Sequence, residues 1–318
     1  MSTQKITSME VAKLAGVSQS AVSRVFTPGA SSSKKTNELV RKAAAELGYR
    51  PNVLARSLIT GKSRMIGLVV AYLDNYFYPE ALELLSSALQ KKGYHVLIFM
   101  SGNKEGDIAD AVDEILDYQV DGIIAASVSM SSDLAKRCTS AGVPVVLFNR
   151  TQDDDRLSAV TSDNFQGGQK VARFLLAGGH KRIGYIAGWE GASTQRDREK
   201  GFTEELVRNG QELYAREVGN FNSDEARQAA RTMFSKQNFP DAVFVANDAM
   251  AIAVIDVIRF ELGLQVTEQV SVVGYDDVPI SSWPAYDLTT VRQPANRMVA
   301  ETVSILIESI ENKTTIAR

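Results

Sequence analysis

From residue 64 onwards, short runs rich in β-branched residues alternate with amphipathic stretches of helical length. Alternating strands and helices form parallel sheets joined by right-handed crossovers. The clearest helix pattern, at 79–92, has Pro79 in its first turn and Gly93 after its last. The predicted strands are 65–71, 95–100, 122–126, 143–148, 159–161, 183–187, 242–246 and 270–274. A polar run at 151–157 interrupts this series, so the pattern predicts two parallel sheets, and hence two lobes.

Aromatic and hydrogen-bonding residues follow several of these predicted strands. They are Tyr72, Asn75, Tyr76, Phe77, Tyr78, Ser127, Asn149, Arg150, Trp189, Arg198, Asn247, Asp248, Tyr275, Asp276 and Asp277. Ligands of open parallel sheets bind beyond the carboxyl ends of the strands, so these residues predict a cleft between the two lobes. Aromatic rings and amides, together with arginine and aspartate, suit a small polar ring compound such as a sugar or nucleoside. Any one of these residues, taken alone, could be only the start of a loop.

The charge of the chain is divided unevenly. Residues 1–64 hold eleven Lys and Arg against three Glu, a net charge of +8. The other 254 of the 318 residues hold 24 basic and 35 acidic side chains, a net charge of −11. This asymmetry is typical of a module that binds a polyanion, joined to a body that does not. The alternative is a basic tail without structure.

The pattern within the basic segment predicts a helix-turn-helix. A first helix begins at Thr7 or Ser8 and ends at Gly16, a second runs from Gln19 to about residue 26, and a third spans about 36–47. Polar side chains on an exposed recognition helix can contact base edges in the major groove. The candidates are Ser18, Gln19, Ser20, Ser23 and Arg24. A solvated helix face is the alternative for any one of them.

The next segment, 49–58, is basic, contains a proline and exposes a leucine. It is too short to form a stable isolated helix. These features favour a hinge helix that forms only against DNA, with Leu58 inserted into a minor-groove base step.

The stretches 9–18, 21–25 and 48–52 resemble the headpiece and hinge of the LacI/GalR family of bacterial transcription repressors. The resemblance implies that Gln19, Ser20 and Arg24 contact the major groove. It also implies that Ala55 and Leu58 enter the minor groove at the centre of the operator. Asn52, in the same hinge motif, completes the candidate DNA-binding residues.

The resemblance continues through the body, at 141–146, 163–168, 179–183, 246–248 and 271–277. It implies an effector-binding core of two lobes joined by three crossovers, similar to periplasmic sugar-binding proteins. The third crossover matches 288–294, before a helix at about 294–312. The implied effector contacts are Phe77, Tyr78, Ser127, Asn149, Arg198, Phe221, Asn247 and Asp276.

These observations predict an α plus α/β chain. A helix-turn-helix headpiece with its hinge helix occupies 1–62, and a two-lobe, periplasmic-binding-protein-like α/β domain for effector binding and dimerisation occupies 63–318. Lobe one is predicted at about 63–156 plus 290–318, and lobe two at about 157–289.

The composition excludes several functional classes. A single cysteine and two histidines disfavour disulfides and metal sites, and no dinucleotide-binding, P-loop or G-x-S-x-G motif is present. We therefore expect no catalytic residues, no metal and no cofactor, and a structural role for His180. The N-terminus lacks the apolar core of a signal peptide, so we expect a cytoplasmic, nucleoid-associated protein.

The predicted function is a sequence-specific repressor whose operator affinity is controlled by a small effector: a sugar, a sugar phosphate or a nucleoside. Two headpieces are needed to contact two half-sites, so the partners are pseudo-palindromic operator DNA and a second copy of the chain. Whether dimers pair into tetramers is left open. A solute-binding transport protein, which would explain only residues 64–318, and an enzyme acting on a sugar or nucleoside are the alternatives.

Overall fold

The computed structural model describes residues 6–27, 29–51, 61–71, 73–101, 105–128, 130–152, 154 and 156–316. They belong to two compact units, Met1–Ser63 and Arg64–Arg318. Three of the predicted DNA-binding residues, Asn52, Ala55 and Leu58, lie outside the described residues.

The smaller unit contains three helices, α1 (Ser8–Ala15), α2 (Gln19–Phe26) and α3 (Lys34–Leu47). Local hydrogen bonds explain where the first two begin. The Glu10 carboxylate accepts the backbone N–H of Thr7 at 2.7 Å, and the Ser18 hydroxyl accepts that of Ala21 at 3.2 Å. Each helix contributes one fully buried valine to the core, namely Val11, Val22 and Val40. This packing turns the polar face of α2 outward.

The larger unit begins with a sheet of five parallel strands. They are β1 (Met65–Val70), β2 (His95–Met100), β3 (Gly122–Ala126), β4 (Val145–Phe148) and β5 (Ser158–Val160), in the spatial order β2-β1-β3-β4-β5. Its helices are α4 (Phe77–Lys91), α5 (Glu105–Asp117) and α6 (Ser132–Ser140), together with the last helix of the chain, α11 (Ala295–Ile316). Apolar side chains on both faces of the sheet form two cores, because helices cover both faces.

A second sheet of five parallel strands follows. Its strands are β6 (Ile183–Ala187), β7 (Ala215–Val218), β8 (Ala242–Val245), β9 (Ser271–Asp276) and β10 (Thr289–Arg292), in the order β10-β9-β8-β6-β7. The flanking helices are α7 (Asn164–Ala177), α8 (Ser193–Arg208), α9 (Ser223–Phe234) and α10 (Asp248–Asp256), the last continued by a π-helical turn at Val257–Glu261. The two sheets give the two lobes of the predicted fold class.

All eight predicted strands are present, and two further strands, β7 and β10, are not among them. Both are four-residue edge strands without a continuous buried face, so they lack the apolar run of a central strand. Strand pairing also moves the predicted lobe boundaries. Because β5 pairs with β4 and β10 with β9, the first sheet extends to Val160 and the second to Arg292, a few residues beyond the predicted ends at about 156 and 289.

Within the described part of the chain, no helix is both long enough and apolar enough to cross a membrane.

Candidate effector cleft and DNA-binding surface

The structure brings the predicted effector residues of lobe one together. Tyr78, in the first turn of α4, accepts a hydrogen bond from the Asn149 amide Nδ2 at 3.1 Å. Phe77 packs edge-on against Tyr78, with ring centroids 5.5 Å apart, and stacks on Phe148 of β4. All of these side chains are buried. One wall of the cleft is therefore made of aromatic rings with a hydroxyl and an amide at its edge.

Four of the eight predicted effector residues have a left-handed backbone. The φ angles are 61° at Ser127, 58° at Asn149, 57° at Phe221 and 133° at Asp276. Such conformations are costly for residues other than glycine and persist where the surrounding structure holds them in place. Ser127 and Asn149 directly follow β3 and β4, and Asp276 is the last residue of β9. The strain thus lies where strand ends must redirect side chains towards a common space.

Arg198 organises the wall contributed by lobe two. Its side chain is 2% exposed, and its Nε donates to Asn164 Oδ1 at 2.8 Å. One terminal nitrogen donates to the carbonyl of Ala246 at 2.6 Å, and the other lies 3.7 Å from Asp276 Oδ1. The guanidinium also lies over the ring of Tyr275, 3.7 Å from its centroid. Arg198 therefore connects α7, β8 and β9 at their ends.

Close packing of two helices holds Arg198 in this position. A Cβ atom on Gly168 of α7 would lie 2.1 Å from the Arg198 carbonyl oxygen, and one on Gly201 of α8 would lie 2.0 Å from the Phe165 carbonyl oxygen. Both distances are too short for any side chain. The absence of Cβ atoms at both positions lets the two backbones touch.

Asp276 is held from both lobes. Gln293, just after β10, donates to its Oδ1 at 2.7 Å, and Asn75 of lobe one donates to its Oδ2 at 3.4 Å. Burial raises the pKa of Asp276 to about 7, with the Arg198 guanidinium acting in the opposite direction. A carboxyl with a shifted pKa between two lobes is characteristic of a functional site. Asn75 is one of the polar residues that the sequence places beyond the first strand, and Gln293 lies within the predicted third crossover, but neither is among the effector contacts that the resemblance implies.

Two amide groups in the cleft are incompletely paired. Asn247 is 1% exposed and caps α10 through its Oδ1, which accepts from the Met250 N–H at 3.0 Å. In the part of the chain that the structure describes, neither the Nδ2 of Asn247 nor the buried Oδ1 of Asn149 has a hydrogen-bond partner. Leaving a buried polar atom unpaired costs about 1–3 kcal/mol, so these atoms are available to hydrogen-bond a polar ligand.

Phe221 lies in the loop between β7 and α9. Its ring packs against the backbone of Gly188, just past the end of β6, and it is half-buried. It can supply an apolar face to the second wall.

The predicted recognition residues occupy one exposed surface. Ser18, Gln19, Ser20, Ser23 and Arg24 are all exposed on or next to α2, while Val22 and Val25 of the same helix are buried. Gln19 Nε2 donates to the Ser8 hydroxyl at 2.9 Å, which links α2 to the start of α1. This geometry is what the docking of a recognition helix requires.

Among the described residues, no group of three or more His, Cys, Asp or Glu side chains could hold a metal ion.

Comparison with known proteins agrees with both units. The family profile described as bacterial regulatory proteins, lacI family, matches residues 7–52, and the periplasmic binding protein domain profile matches residues 66–311. The HTH-type transcriptional repressor PurR of Pasteurella multocida is 30% identical over 309 residues, which cover 96% of this chain and 92% of the relative. The HTH-type transcriptional regulator CelR of Thermobifida fusca is 32% identical over 314 residues, with the same coverages.

Solved structures show the same similarity. The lac repressor dimer bound to operator and the anti-inducer ONPF superposes with a TM-score of 0.87 at 29% identity, covering 97% of this chain and 94% of that one. The complex of the transcriptional regulator CelR with cellobiose has a TM-score of 0.72 at 30% identity, with the same coverages. The predicted resemblance and fold class are confirmed.

Proposed function

Because the chain belongs to the lacI family of bacterial regulatory proteins, a family of transcription repressors and not of enzymes, we propose that its cleft binds a small polar effector that sets operator affinity. The DNA-binding unit is 1–62 and the effector and dimerisation unit is 63–318. The alternative of a transport protein fails because it leaves the match over residues 7–52 unexplained.

The observation that carries this proposal is the bonding of Asp276. Its carboxyl is bonded at the same time by Asn75 of lobe one and by Gln293 beside β10, and it lies 3.7 Å from Arg198 of lobe two. A ligand that competes for this carboxyl alters contacts made by both lobes. Effector binding and lobe arrangement are therefore coupled at this point, as allosteric control requires.

The chemistry of the walls supports a sugar or nucleoside-like ring as the effector. Aromatic faces at Phe77 and Phe221 suit the apolar side of a ring, and the polar groups suit its hydroxyls or ring nitrogens. The proposed effector contacts are Phe77, Tyr78, Ser127, Asn149, Arg198, Phe221, Asn247 and Asp276. The related CelR has been captured with cellobiose, and the lac repressor with ONPF.

On the DNA side, the proposed contacts are Ser18, Gln19, Ser20, Ser23, Arg24, Asn52, Ala55 and Leu58. A pseudo-palindromic operator requires two headpieces, and the related lac repressor binds its operator as a dimer. The edge strand β2 and its surroundings expose apolar side chains that a second copy of the chain can cover. These half-exposed side chains are Ile98, Met100 and Tyr118. We place this activity in the cytoplasm, at the nucleoid.

Two measurements on the full chain test the proposal. Selection from a randomised DNA pool should enrich a pseudo-palindromic sequence. A thermal-shift screen of sugars, sugar phosphates and nucleosides should then find a ligand that stabilises the chain, by about 2.7 kcal/mol at 100 times its Kd. That ligand must change the affinity for the selected operator, and the operator must change the affinity for the ligand by the same factor. A pool without enrichment, or a cleft ligand that leaves operator affinity unchanged, would refute the proposal.

A further inference from the structure

Arg150 follows Asn149 at the end of β4 and is only 2% exposed. One of its terminal nitrogens donates to the backbone carbonyl and to the hydroxyl of Ser127, both at 2.9 Å. Its Nε and its other terminal nitrogen are buried and have no hydrogen-bond partner among the described residues. Three of the five N–H donors of this guanidinium are therefore unused in that part of the chain.

The charge of Arg150 is also unbalanced. Arg198, the other buried arginine of the cleft, has the Asp276 carboxyl group 3.7 Å away. Arg150 forms no ion pair with any carboxylate of the described residues. Its guanidinium lies over the aromatic ring of Trp189, 5.6 Å from the ring centroid. Burying a cation without a counter-charge is far more costly than burying a paired one. An anion bound at this point would remove that cost.

Arg150 lies between the two lobes. Trp189 belongs to the loop after β6 in lobe two, and the backbone N–H of the next residue, Thr151, donates to the Ser193 hydroxyl of lobe two at 2.9 Å. The neighbouring Asn149 bonds Tyr78. The unpaired nitrogens thus belong to the same interlobe space as the candidate effector contacts.

We propose that Arg150 determines effector selectivity by binding an anionic oxygen group, a phosphate or a carboxylate, carried by the effector. The inference rests on the proposed function, since it concerns a ligand of the same cleft. A planar guanidinium is the side chain best suited to such groups, and its remaining N–H donors match their oxygen lone pairs. The Trp189 ring covers one face of the guanidinium and limits competition from water.

The test uses the full chain and two kinds of probe. Inorganic sulfate and phosphate, at constant ionic strength, report on the anion site alone in a thermal-shift assay. Matched ligands that differ only in charge report on selectivity by calorimetry: D-glucose, D-glucuronate and D-glucose 6-phosphate, and D-ribose with D-ribose 5-phosphate. Glucuronate and glucose 6-phosphate distinguish a carboxylate from a phosphate.

Three variants separate charge from structure. Arg150→Gln removes the charge but keeps a donor for Ser127, and Arg150→Lys keeps the charge. Arg196→Gln removes an exposed arginine in the first turn of α8 of lobe two. Among the described residues its guanidinium bonds only the carbonyls of Glu190 and Gly191. Circular dichroism and anion-free melting temperatures verify that each variant folds.

We expect sulfate or phosphate to raise the melting temperature of the wild type, Arg150→Lys and Arg196→Gln more than that of Arg150→Gln. We also expect at least a tenfold preference of the wild type for the anionic member of any pair it binds, falling to about one in Arg150→Gln. Equal anion stabilisation of the wild type and Arg150→Gln would overturn the inference, as would equal affinity for charged and neutral partners. If Arg150→Gln weakened all ligands alike, Arg150 would be a link between the lobes and not a selectivity residue.

The failure of this inference can be told apart from failure of the proposed function. An Arg150-dependent anion preference without any effect of the ligand on operator affinity would leave the inference standing and refute effector control. A neutral ligand that controls operator affinity would support effector control and refute the inference about Arg150.

Discussion

Replacing Asp276 with Asn keeps the size of the side chain but removes a carboxyl whose pKa burial raises from 3.8 to about 7. In the unfolded chain this carboxyl loses its proton near pH 4, whereas in the folded chain it keeps the proton up to about pH 7. Within that window the folded state binds one proton more than the unfolded state. The free energy of unfolding of the wild type therefore falls as pH rises, by about 1.4 kcal/mol per pH unit.

Over the roughly three pH units between these two pKa values, the loss amounts to about 4 kcal/mol. Asp276→Asn has no proton to lose, so its stability relative to the wild type should rise by about this amount between pH 4 and pH 7. Burial also raises the pKa of Asp248, to about 6, and the charge of Asp248 contributes to raising the pKa of Asp276. Asp248 titrates in both proteins, so the subtraction removes the part of its titration that does not depend on Asp276.

Urea unfolding of both proteins at about pH 4.5, 5.5, 6.5 and 7.5 measures the difference. Asp224→Asn, which removes a carboxyl that is 94% exposed, is the matched control and should give a nearly constant difference. A constant difference for Asp276→Asn as well would refute the reasoning. It would mean that Arg198, Gln293 and Asn75 keep the carboxylate ionised in spite of its burial.

Three further outcomes are expected. Arg24→Ala, measured by fluorescence anisotropy, should weaken binding to the selected operator by about 1–3 kcal/mol and binding to unrelated DNA much less. Equal losses on both DNAs would show that Arg24 contacts only the phosphate backbone. Asn247→Thr keeps an oxygen that can cap α10 but removes the unpaired Nδ2. Calorimetry should therefore show about a tenfold loss of effector affinity, while operator binding without effector stays unchanged. Gly168→Ala would place a Cβ atom 2.1 Å from the Arg198 carbonyl oxygen, so it should lower both the melting temperature and the effector affinity. The control Gly178→Ala, at the end of α7, would give its Cβ atom a nearest contact at 3.2 Å and should have a much smaller effect.

The sequence by itself determined the features that depend on neighbours along the chain. Caps such as Thr7 and the spacing of apolar residues locate the three headpiece helices. Runs of β-branched residues locate eight strands, because a buried central strand must be apolar on both faces. The headpiece motifs are also contiguous in the sequence, so the resemblance to the family could be recognised without knowledge of the fold.

Tertiary structure alone decided which strands pair and which charges remain unpaired. The edge strands β7 and β10 are held by partners far along the chain, so their own residues carry little signal. Arg198 and Asp276 are 78 positions apart, and only helix packing brings them to 3.7 Å. Arg150 follows the predicted strand 143–148, but the sequence does not show whether its charge is paired. Its importance follows from burial without a carboxylate partner among the described residues, and burial is a property that long-range contacts create.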